Sequence, residues 1–353
     1  MSRVRFGIQL AASVPEMLRT ATLAEELDYD SMWMPDETVG YEMEYGPKVV
    51  LPDCLTCLTI IASKTKKIRI GSSVVDALAR HPAKLAQIVA SIDSACNGRF
   101  LLGLGASEEG NHDPFGIPTD HPYGKLKETI QVIRLLWKSS YYERVNFSGD
   151  YFNLKEAYLR VKPFGREGPP IYVAAFGPKM LSLVGELGNG WIPFNHTPES
   201  YRTVLHVQIR QGLESAGRTF HDIDPTCAFP TCISDNRERA QSAATRIAKT
   251  FLVWSIDNMR MLVPELCDEH PGIRHTNLKT LGNMSKLVEL SKKVPDKIAL
   301  DTTISGDADD CGDQIKRFID AGCRHLIFYL VAQNESQRAV MMKRLRKVIS
   351  RSV

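Results

Sequence analysis

Residues 99–111 read RFLLGLGASEEGN, and they give the strongest indication of the fold class. Its first half is continuously apolar, as expected of a strand that is buried on both faces of a parallel sheet. Gly103 and Gly105 permit a sharp turn or a close approach of the backbone to a ligand. The carboxylates of Glu108 and Glu109 follow directly, and parallel α/β sheets bind substrates beyond the carboxyl ends of their strands. The alternative is a solvated loop that carries ordinary surface acids.

Short apolar strands alternate with amphipathic helical segments along the whole chain, which indicates parallel βαβ units. The predicted strands cover residues 5–10, 31–34, 68–75, 100–104, 171–175, 190–192, 226–233 and 325–330. Eight strands in strict alternation predict an α/β fold of the closed (β/α)8 TIM-barrel type. A doubly wound open sheet is the alternative, but no G-x-G-x-x-G turn follows the first strand.

Two stretches exceed a minimal barrel. Residues from about 141 to 170 alternate apolar and polar positions around a Ser-Gly-Asp turn, which predicts a β-hairpin after the fourth helix. Residues from about 250 to 300 predict additional helices after the seventh strand. No linker rich in Pro, Ser or Gly divides the chain, so we expect a single domain over residues 1–353.

Two helix starts carry capping signals. Ser13 followed by Glu16 predicts a capping box for the first helix. Thr197 is predicted to cap the helix that begins near Pro198.

The composition is that of a soluble globular protein, with 43% hydrophobic and 24% charged residues. A formal net charge of +3 gives no electrostatic reason to expect nucleic acid or a membrane surface as a partner. No stretch approaches the about 20 apolar residues that span a bilayer, and the apolar start predicts a strand rather than a signal peptide.

The eight cysteines are scattered along the chain, which suits reduced thiols in the cytoplasm. Cys54 and Cys57 form a single CxxC pair with no second pair of ligands. Buried packing is therefore favoured over a metal or redox role, and no metal is predicted.

Several segments in the right order resemble one superfamily. The chain resembles the bacterial luciferase-like barrels, and within them the branch that uses the deazaflavin coenzyme F420. The resemblance spans nearly the whole chain. It is carried by FGIQL (6–10), SMWMPDE (31–37), IGSSVVDALARHPAKLAQ (70–87), GRFLLGLGASEEGN (98–111), PPIYVAAFGPKMLSLVGELGNGWIP (169–193) and AGCRHLIFYL (321–330).

The resemblance implies how the coenzyme ring is held. Asp36 occupies the position where family members hold the hydroxyl side of the deazaflavin, although a helix or turn cap is the alternative. Ser73 and Val74 match a non-prolyl cis peptide that presses against the ring. Ser72 and Ser73 are then the small residues that make room for it.

The segment after the fourth strand also matches the family. Glu108 and Asn111 correspond to an acid and an amide of the family, and in related sugar-phosphate dehydrogenases that acid lies beside the substrate and the reactive carbon of the coenzyme. Gly105 and Ala106 are implied as coenzyme neighbours, whereas Glu109 has no counterpart.

The segment after the fifth strand is implied to bind the phosphate of the coenzyme. Helix N-termini present unpaired N–H groups and a partial positive charge to anions, and a helix is predicted from near Pro178. A tight strand-to-helix turn is the alternative. The residues of this anion site are Ala174, Ala175, Phe176 and Gly177.

One position departs from the family. Many relatives have Asp-His after the second strand, and in some of them that histidine transfers a proton, whereas this chain has Asp36-Glu37. Glu37 replaces the histidine if burial raises its pKa toward neutrality. Otherwise His112 or Glu108 handles the proton, or Glu37 only tunes ring binding. Tyr41 matches an aromatic position near the substrate, with packing as the alternative.

The implied function is hydride transfer between reduced F420 and a small organic carbonyl or imine. Ketoreductases, alcohol dehydrogenases and methylene-tetrahydromethanopterin reductases are the related activities, and Glu37 and Glu108 are the candidate catalytic residues. Two alternatives stay open: an FMN-dependent monooxygenase, and a non-catalytic protein that binds flavin or deazaflavin. The resemblance also implies a homodimer.

Overall fold

The computed structural model describes residues 3–38, 50–106, 109–165, 167–254, 256–269 and 284–352. The strands are β1 (Arg5–Gln9), β2 (Ser31–Met34), β3 (Arg69–Ser72), β4 (Val75–Asp76), β5 (Phe100–Gly105), β6 (Val145–Ser148), β7 (Asn153–Ala157), β8 (Ile171–Val173), β9 (Gly190–Trp191), β10 (Asp224–Ile233), β11 (Ile304–Gly306) and β12 (His325–Leu330). The helices are α1 (Val14–Glu26), α2 (Cys54–Lys64), α3 (Pro82–Ala95), α4 (Glu109–His112), α5 (Pro122–Lys138), α6 (Pro178–Leu187), α7 (Pro198–Val204), α8 (Arg210–Ser215), α9 (Arg237–Trp254), α10 (Ile256–Leu262), α11 (Pro264–Glu269), α12 (Met284–Lys293), α13 (Asp296–Asp301), α14 (Ala308–Asp320) and α15 (Glu335–Ser352).

Parallel pairing joins eight of these strands into a closed barrel. The order around the barrel is β1, β2, β3, β5, β8, β9, β10 and β12, and β12 pairs again with β1. The predicted TIM barrel is confirmed, because an open doubly wound sheet would leave two edge strands unpaired. The third predicted strand is divided into β3 and β4 between Ser72 and Val75, and β4 continues the pairing with β5.

Both predicted additions to the barrel are found. β6 and β7 form an antiparallel hairpin after α5. The Glu128 carboxylate on α5 fixes the hairpin turn by accepting the backbone N–H groups of Asp150 (2.7 Å), Tyr151 (3.0 Å) and Phe152 (2.9 Å). After β10, helices α10–α13 share a small apolar core with α9.

Side chains of successive strand residues point alternately inward and outward, which gives the barrel two apolar layers. The outward residues pack against the helices. The inward residues form a separate cluster that fills the barrel: Trp33, Leu101, Tyr172, Ile192, Ala228 and Ile327. Gly103 has no room for a side chain, because a Cβ there would lie 1.9 Å from the carbonyl oxygen of Ser72. The close approach expected of this glycine is therefore between two strands.

A buried polar network closes the amino-terminal end of the barrel. Asp224 accepts a hydrogen bond from the Tyr172 hydroxyl (2.8 Å) and pairs with Arg5 (2.6 Å). His325 lies between Asp224 (Nδ1, 3.3 Å) and the hydroxyl of Ser31 (Nε2, 2.7 Å). Because buried charges persist only when they are paired, this end is built as a sealed base. A ligand site is expected at the other end.

The two capping predictions have different outcomes. Thr197 caps α7 in a capping box with Ser200, as predicted. The box predicted for α1 is wrong, because the Ser13 side chain makes no capping hydrogen bond. Glu16 pairs instead with Arg338 on α15 at 2.5 Å, so a tertiary ion pair prevails over the local cap. Among the described helices, none combines the length and the apolarity that a membrane crossing requires.

Candidate active site

The predicted site residues that the structure describes gather at the carboxyl-terminal end of the barrel. Asp36 and Glu37 follow β2, and Asn111 lies on α4, just after β5. The others stand around the β3–β4 junction (Ser72, Ser73, Val74), at the end of β5 (Gly105, Ala106) and between β8 and α6 (Ala174, Ala175, Phe176, Gly177). Glu108 and Tyr41 lie outside the described residues, so their roles stay predictions.

The peptide bond between Ser73 and Val74 is cis, at the position that the resemblance implies. The two serines before it differ in what they bind. The Ser72 hydroxyl donates to the carbonyl of Gly103 (3.0 Å) and accepts its N–H (2.9 Å), so it connects β3 to β5. The Ser73 hydroxyl is buried and has no partner among the described residues. Ser73 is therefore the serine that retains hydrogen-bonding capacity for a ligand.

Asp36 is held by an ion pair. Its side chain is 8% exposed and binds both terminal nitrogens of Arg80, at 2.5 and 3.1 Å. It also accepts the backbone N–H of Asp76 at 3.1 Å. Burial raises the pKa of the Asp36 carboxyl above its ordinary value although Arg80 opposes the shift. Asp36 thus fixes the loop after β2 to β4 and to the segment that precedes α3.

Two further bonds fix the segment after β5. One Asp76 oxygen accepts two N–H groups of the following turn (2.9 and 3.1 Å), and the other binds Nε2 of His112. The Asn111 side-chain carbonyl accepts the backbone N–H of Thr38 (3.1 Å). Both Asn111 and His112 are buried. The segments that follow β2, β4 and β5 are therefore joined into one polar wall.

Glu37 lies beside the end of β12. Burial, together with the negative charge of Glu37, raises the pKa of the Tyr329 hydroxyl to about 12. Tyr329 pairs in register with Gln9 of β1, the strand between β2 and β12. The Glu37 carboxylate is thus half-buried at the barrel mouth next to a phenol.

The floor of the mouth is apolar, and two of its residues are small. Val74, Ala174 and Phe194 are partly buried and pack on the cluster that fills the barrel. Because small side chains leave space above themselves, Val74 and Ala174 provide a surface on which a flat group can lie.

Four buried polar atoms near this floor have no hydrogen-bond partner among the described residues. They are Gln9 Oε1, Ser73 Oγ, His112 Nδ1 and Asn195 Oδ1. They come from the carboxyl-terminal ends of β1 and β3 and from the segments after β5 and β9. An unsatisfied buried polar group costs about 1–3 kcal/mol, so four at one end of a barrel indicate a site that a polar ligand completes.

The segment between β8 and α6 is only partly available for an anion. The Ala174 N–H donates to the carbonyl of Leu104 (2.9 Å), so it is already used within the sheet. α6 begins after Gly177, and no side chain caps its first turn. The backbone N–H groups of that turn are a suitable anion site, because helix N-termini attract negative charge.

The CxxC pair is inert packing. Burial raises the pKa of the Cys57 thiol to about 11 and that of Cys54 further, so both stay protonated. The Cys54 thiol donates to the carbonyl of Met34 at 3.4 Å. Within the described ranges no cluster of His, Cys, Asp and Glu has the composition of a metal site.

Sequence reasoning missed several residues of this site. It did not single out Gln9, Asp76 or Asn195, and it did not pair Arg80 with Asp36. A signal was present for the first three, since each stands at or just after the end of a predicted strand. The carboxyl ends of parallel strands meet at one end of a barrel, where ligands bind.

Comparison with known proteins gives a consistent result. The family described as luciferase-like monooxygenase matches residues 2–325. An F420-dependent glucose-6-phosphate dehydrogenase of Amycolatopsis mediterranei is 29% identical over 321 residues, which cover 89% of this chain and 88% of that protein. A 5,10-methylenetetrahydromethanopterin reductase of Methanolobus tindarius is 28% identical, and the match covers 91% of this chain and 93% of that protein.

A solved structure gives the same barrel. It is that of an F420-dependent secondary alcohol dehydrogenase in complex with an F420–acetone adduct, and it aligns over 100% of both chains with a TM-score of 0.82. The sequence identity is 20%, so this likeness is evidence for the fold alone.

Proposed function

Because the chain belongs to the family of luciferase-like monooxygenases, we propose that it is an oxidoreductase that depends on coenzyme F420. The proposed reaction transfers a hydride between reduced F420 and a small organic carbonyl or imine. The Amycolatopsis relative, matched over nearly the whole chain, is named as F420-dependent. The same barrel supports FMN-dependent oxygenation in other proteins, so the residues of the site must also favour F420.

The observation that carries the proposal is the set of four unpartnered buried polar atoms around the small apolar floor. A flat ring system with carbonyl and N–H groups on its rim fits such a floor and satisfies such atoms. Val74 and Ala174 would lie against the ring, and Ser73 and Asn195 would bind its rim. The first turn of α6, after Gly177, would bind the phosphate.

Other predicted neighbours of the coenzyme have supporting roles. Asp36 is bound by Arg80 and therefore shapes the wall beside the ring. Asn111 fixes the loop after β2 through Thr38. Gly105 and Ala106 end the strand below this wall and remain proposed coenzyme neighbours.

When bound, F420 would supply hydride chemistry to a carbonyl carbon, and the protein would supply the proton that completes the alcohol. Glu37 is the proposed source of that proton, because it is half-buried at the mouth beside Tyr329. His112 is the alternative source, since Nδ1 is unused while Nε2 is bound to Asp76. Glu108 stays a proposed catalytic residue on the resemblance alone.

Two finer features belong to the same proposal. All eight cysteines are buried and none forms a disulfide, which suits a reducing compartment, so we propose that the protein is cytoplasmic. We also propose a homodimer, on the resemblance alone.

Coenzyme binding tests this function. The purified protein is titrated separately with F420 and FMN, and fluorescence reports binding. The expected result is tighter binding of F420, and oxidation of reduced F420 only when a carbonyl substrate is added. Retention of FMN with substrate-dependent oxygen consumption would favour the monooxygenase. Tight F420 binding without turnover across carbonyl and pterin substrates would indicate a non-catalytic binding protein.

A further inference from the structure

Four aromatic rings meet at one side of the barrel mouth, and we call them the aromatic wall: Phe194, Phe251, Trp254 and Tyr329. Phe251 is central, with ring centroids 4.9 Å from Phe194, 5.7 Å from Tyr329 and 4.6 Å from Trp254. The rings come from three elements far apart in sequence: the segment after β9, helix α9 and strand β12.

The alternation along β12 shows which way Tyr329 points. Ile327 belongs to the cluster inside the barrel, whereas Phe328 packs outward and stacks on Phe6. Tyr329 is two residues beyond Ile327, so its side chain enters the mouth. Phe194 packs on the same interior cluster from above. The aromatic wall therefore stands on the floor described above.

The aromatic wall is deep but still accessible. Each of its four residues is half-buried, whereas Trp33 and Tyr172 inside the barrel are sealed from solvent. Tyr329 is deep enough for burial to raise its pKa and yet keeps accessible surface. A side chain with both properties borders a recess, and aromatic recesses are typical binding surfaces for apolar ligands.

The two sides of the mouth differ in chemistry. The side formed after β2, β4 and β5 is the polar wall that contains Asp36, Asp76 and Asn111. The opposite side is the aromatic wall. Glu37 lies where they meet, because it follows β2 and its charge acts on Tyr329. A carbonyl near Glu37 would thus have its apolar substituent against the aromatic wall.

Two basic side chains, one acting on the aromatic wall and one close to it in sequence, offer no unpaired positive charge. Arg338, whose positive charge acts on Tyr329, is paired with Glu16 at 2.5 Å. Burial lowers the pKa of His196, two residues from Phe194, to about 3, so its ring is neutral. Neither of these two side chains therefore offers a counter-charge to a phosphate, and the charge of Glu37 beside Tyr329 is negative.

We propose that the substrate is an aryl ketone, or the corresponding secondary alcohol, whose aromatic ring packs against the aromatic wall. Edge-to-face packing between aromatic rings favours such a ligand beyond the burial of apolar area alone. The inference rests on the proposed function, since it names the substrate class of the same site.

The first test measures specificity. Reduction of acetophenone and of acetone by reduced F420 is compared in the native chain, F251A and F251L. In the native chain, kcat/KM is expected to be at least about tenfold higher for acetophenone than for acetone. Both variants should lose this preference, mainly because KM for acetophenone rises, while acetone turnover is kept. F251L keeps apolar volume, so it separates loss of the ring from loss of folding. Y142A, at a 91% exposed tyrosine far from the mouth, is the matched control.

The second test needs no coenzyme. The chain has four tryptophans; Trp254 is half-buried, and the other three are at most 2% exposed. Acetophenone should quench its fluorescence at saturating concentration, and F251A should weaken the apparent Kd by about tenfold. W254F identifies the quenched signal, and acetone and glucose 6-phosphate are the comparison ligands.

The outcomes separate the two proposals. If acetophenone binds and quenches Trp254 but F420 is not used, the proposed function fails and the substrate class stands. If acetophenone neither quenches Trp254 nor is preferred over acetone, or if F251A and F251L leave both measurements unchanged, the substrate class is wrong.

Discussion

The Nε2 atom of His112 binds the carboxylate of Asp76, and Nδ1 of the same ring is buried with no partner among the described residues. Because Nε2 is bound to Asp76, Nδ1 is the ring nitrogen left for a ligand, as an acceptor when it is unprotonated and as a donor when it carries a proton. The ring is thus oriented by β4 and presents one unused nitrogen near the floor of the mouth. This geometry defines what His112 can do in the proposed reaction.

Replacing His112 should affect coenzyme binding more than turnover. A hydrogen bond contributes about 0.5–1.5 kcal/mol, so H112F is expected to weaken F420 binding by up to about tenfold. The measurement is a fluorescence titration with F420, with H221F at an exposed histidine as the control. A collapse of kcat with unchanged F420 affinity would instead assign the proton transfer to His112.

Replacing Glu37 should affect turnover more than binding. A general acid contributes about 10²–10⁴-fold, so E37Q is expected to lower kcat by about 100-fold or more with little change in KM. Steady-state kinetics with reduced F420 and a ketone provide the measurement, and E143Q at an exposed glutamate provides the control. Full activity of E37Q would remove Glu37 from the mechanism and leave E108Q as the next variant to test.

The Asp36–Arg80 pair should be important for stability. Breaking a buried ion pair leaves one charge uncompensated, and R80M is expected to lower the free energy of unfolding by about 3 kcal/mol. The double variant R80M/D36N should regain part of the lost free energy of unfolding, because it also removes the carboxylate that R80M leaves buried without its partner. Urea unfolding measures both, and R19M, which breaks an exposed pair with Glu335, should leave the midpoint unchanged.

His196 should make stability depend on pH. Burial lowers its pKa from 6.5 in the unfolded chain to about 3 in the folded protein. Between these values the unfolded chain binds a proton that the folded protein does not, so stability falls as the pH falls from 6.5 to about 3. H196F keeps a ring beside Trp191 and Tyr201 but cannot titrate.

Urea midpoints at a pH of about 4.5 and about 7 measure this dependence. The difference between the two midpoints should be smaller in H196F than in the native chain. H221F, at an exposed histidine, should behave like the native chain. An equal difference in H196F would show that His196 is not buried in its neutral form.

The sequence sufficed for the barrel because the decisive signals are local. Each strand is a short apolar run that ends at a turn or helix start, and a count of eight selects the closed form. The hairpin followed from alternation around a Ser-Gly-Asp turn, and the Thr197 cap from its position before Pro198. These features depend on residues within a few positions of one another.

The pairings within the site are tertiary and escaped prediction for that reason. Asp36 pairs with Arg80, which is 44 positions away in sequence. Glu16 pairs with Arg338, 322 positions away, and does not take part in a cap of α1. Gly103 is required by the carbonyl of Ser72 on a neighbouring strand. The sequence indicated which end of the barrel carries the chemistry, but partner choice depends on how the strands and helices are arranged around it.

A labelling experiment follows the hydride from the coenzyme to the product. Reduced F420 that carries deuterium at its hydride-donating carbon is incubated with the protein and a ketone, and the product is examined by mass spectrometry and NMR. Direct hydride transfer predicts a secondary alcohol with one deuterium on the carbinol carbon and no oxygen consumption. An alcohol without deuterium, or a product that has gained an oxygen atom from O2, would exclude direct hydride transfer from F420.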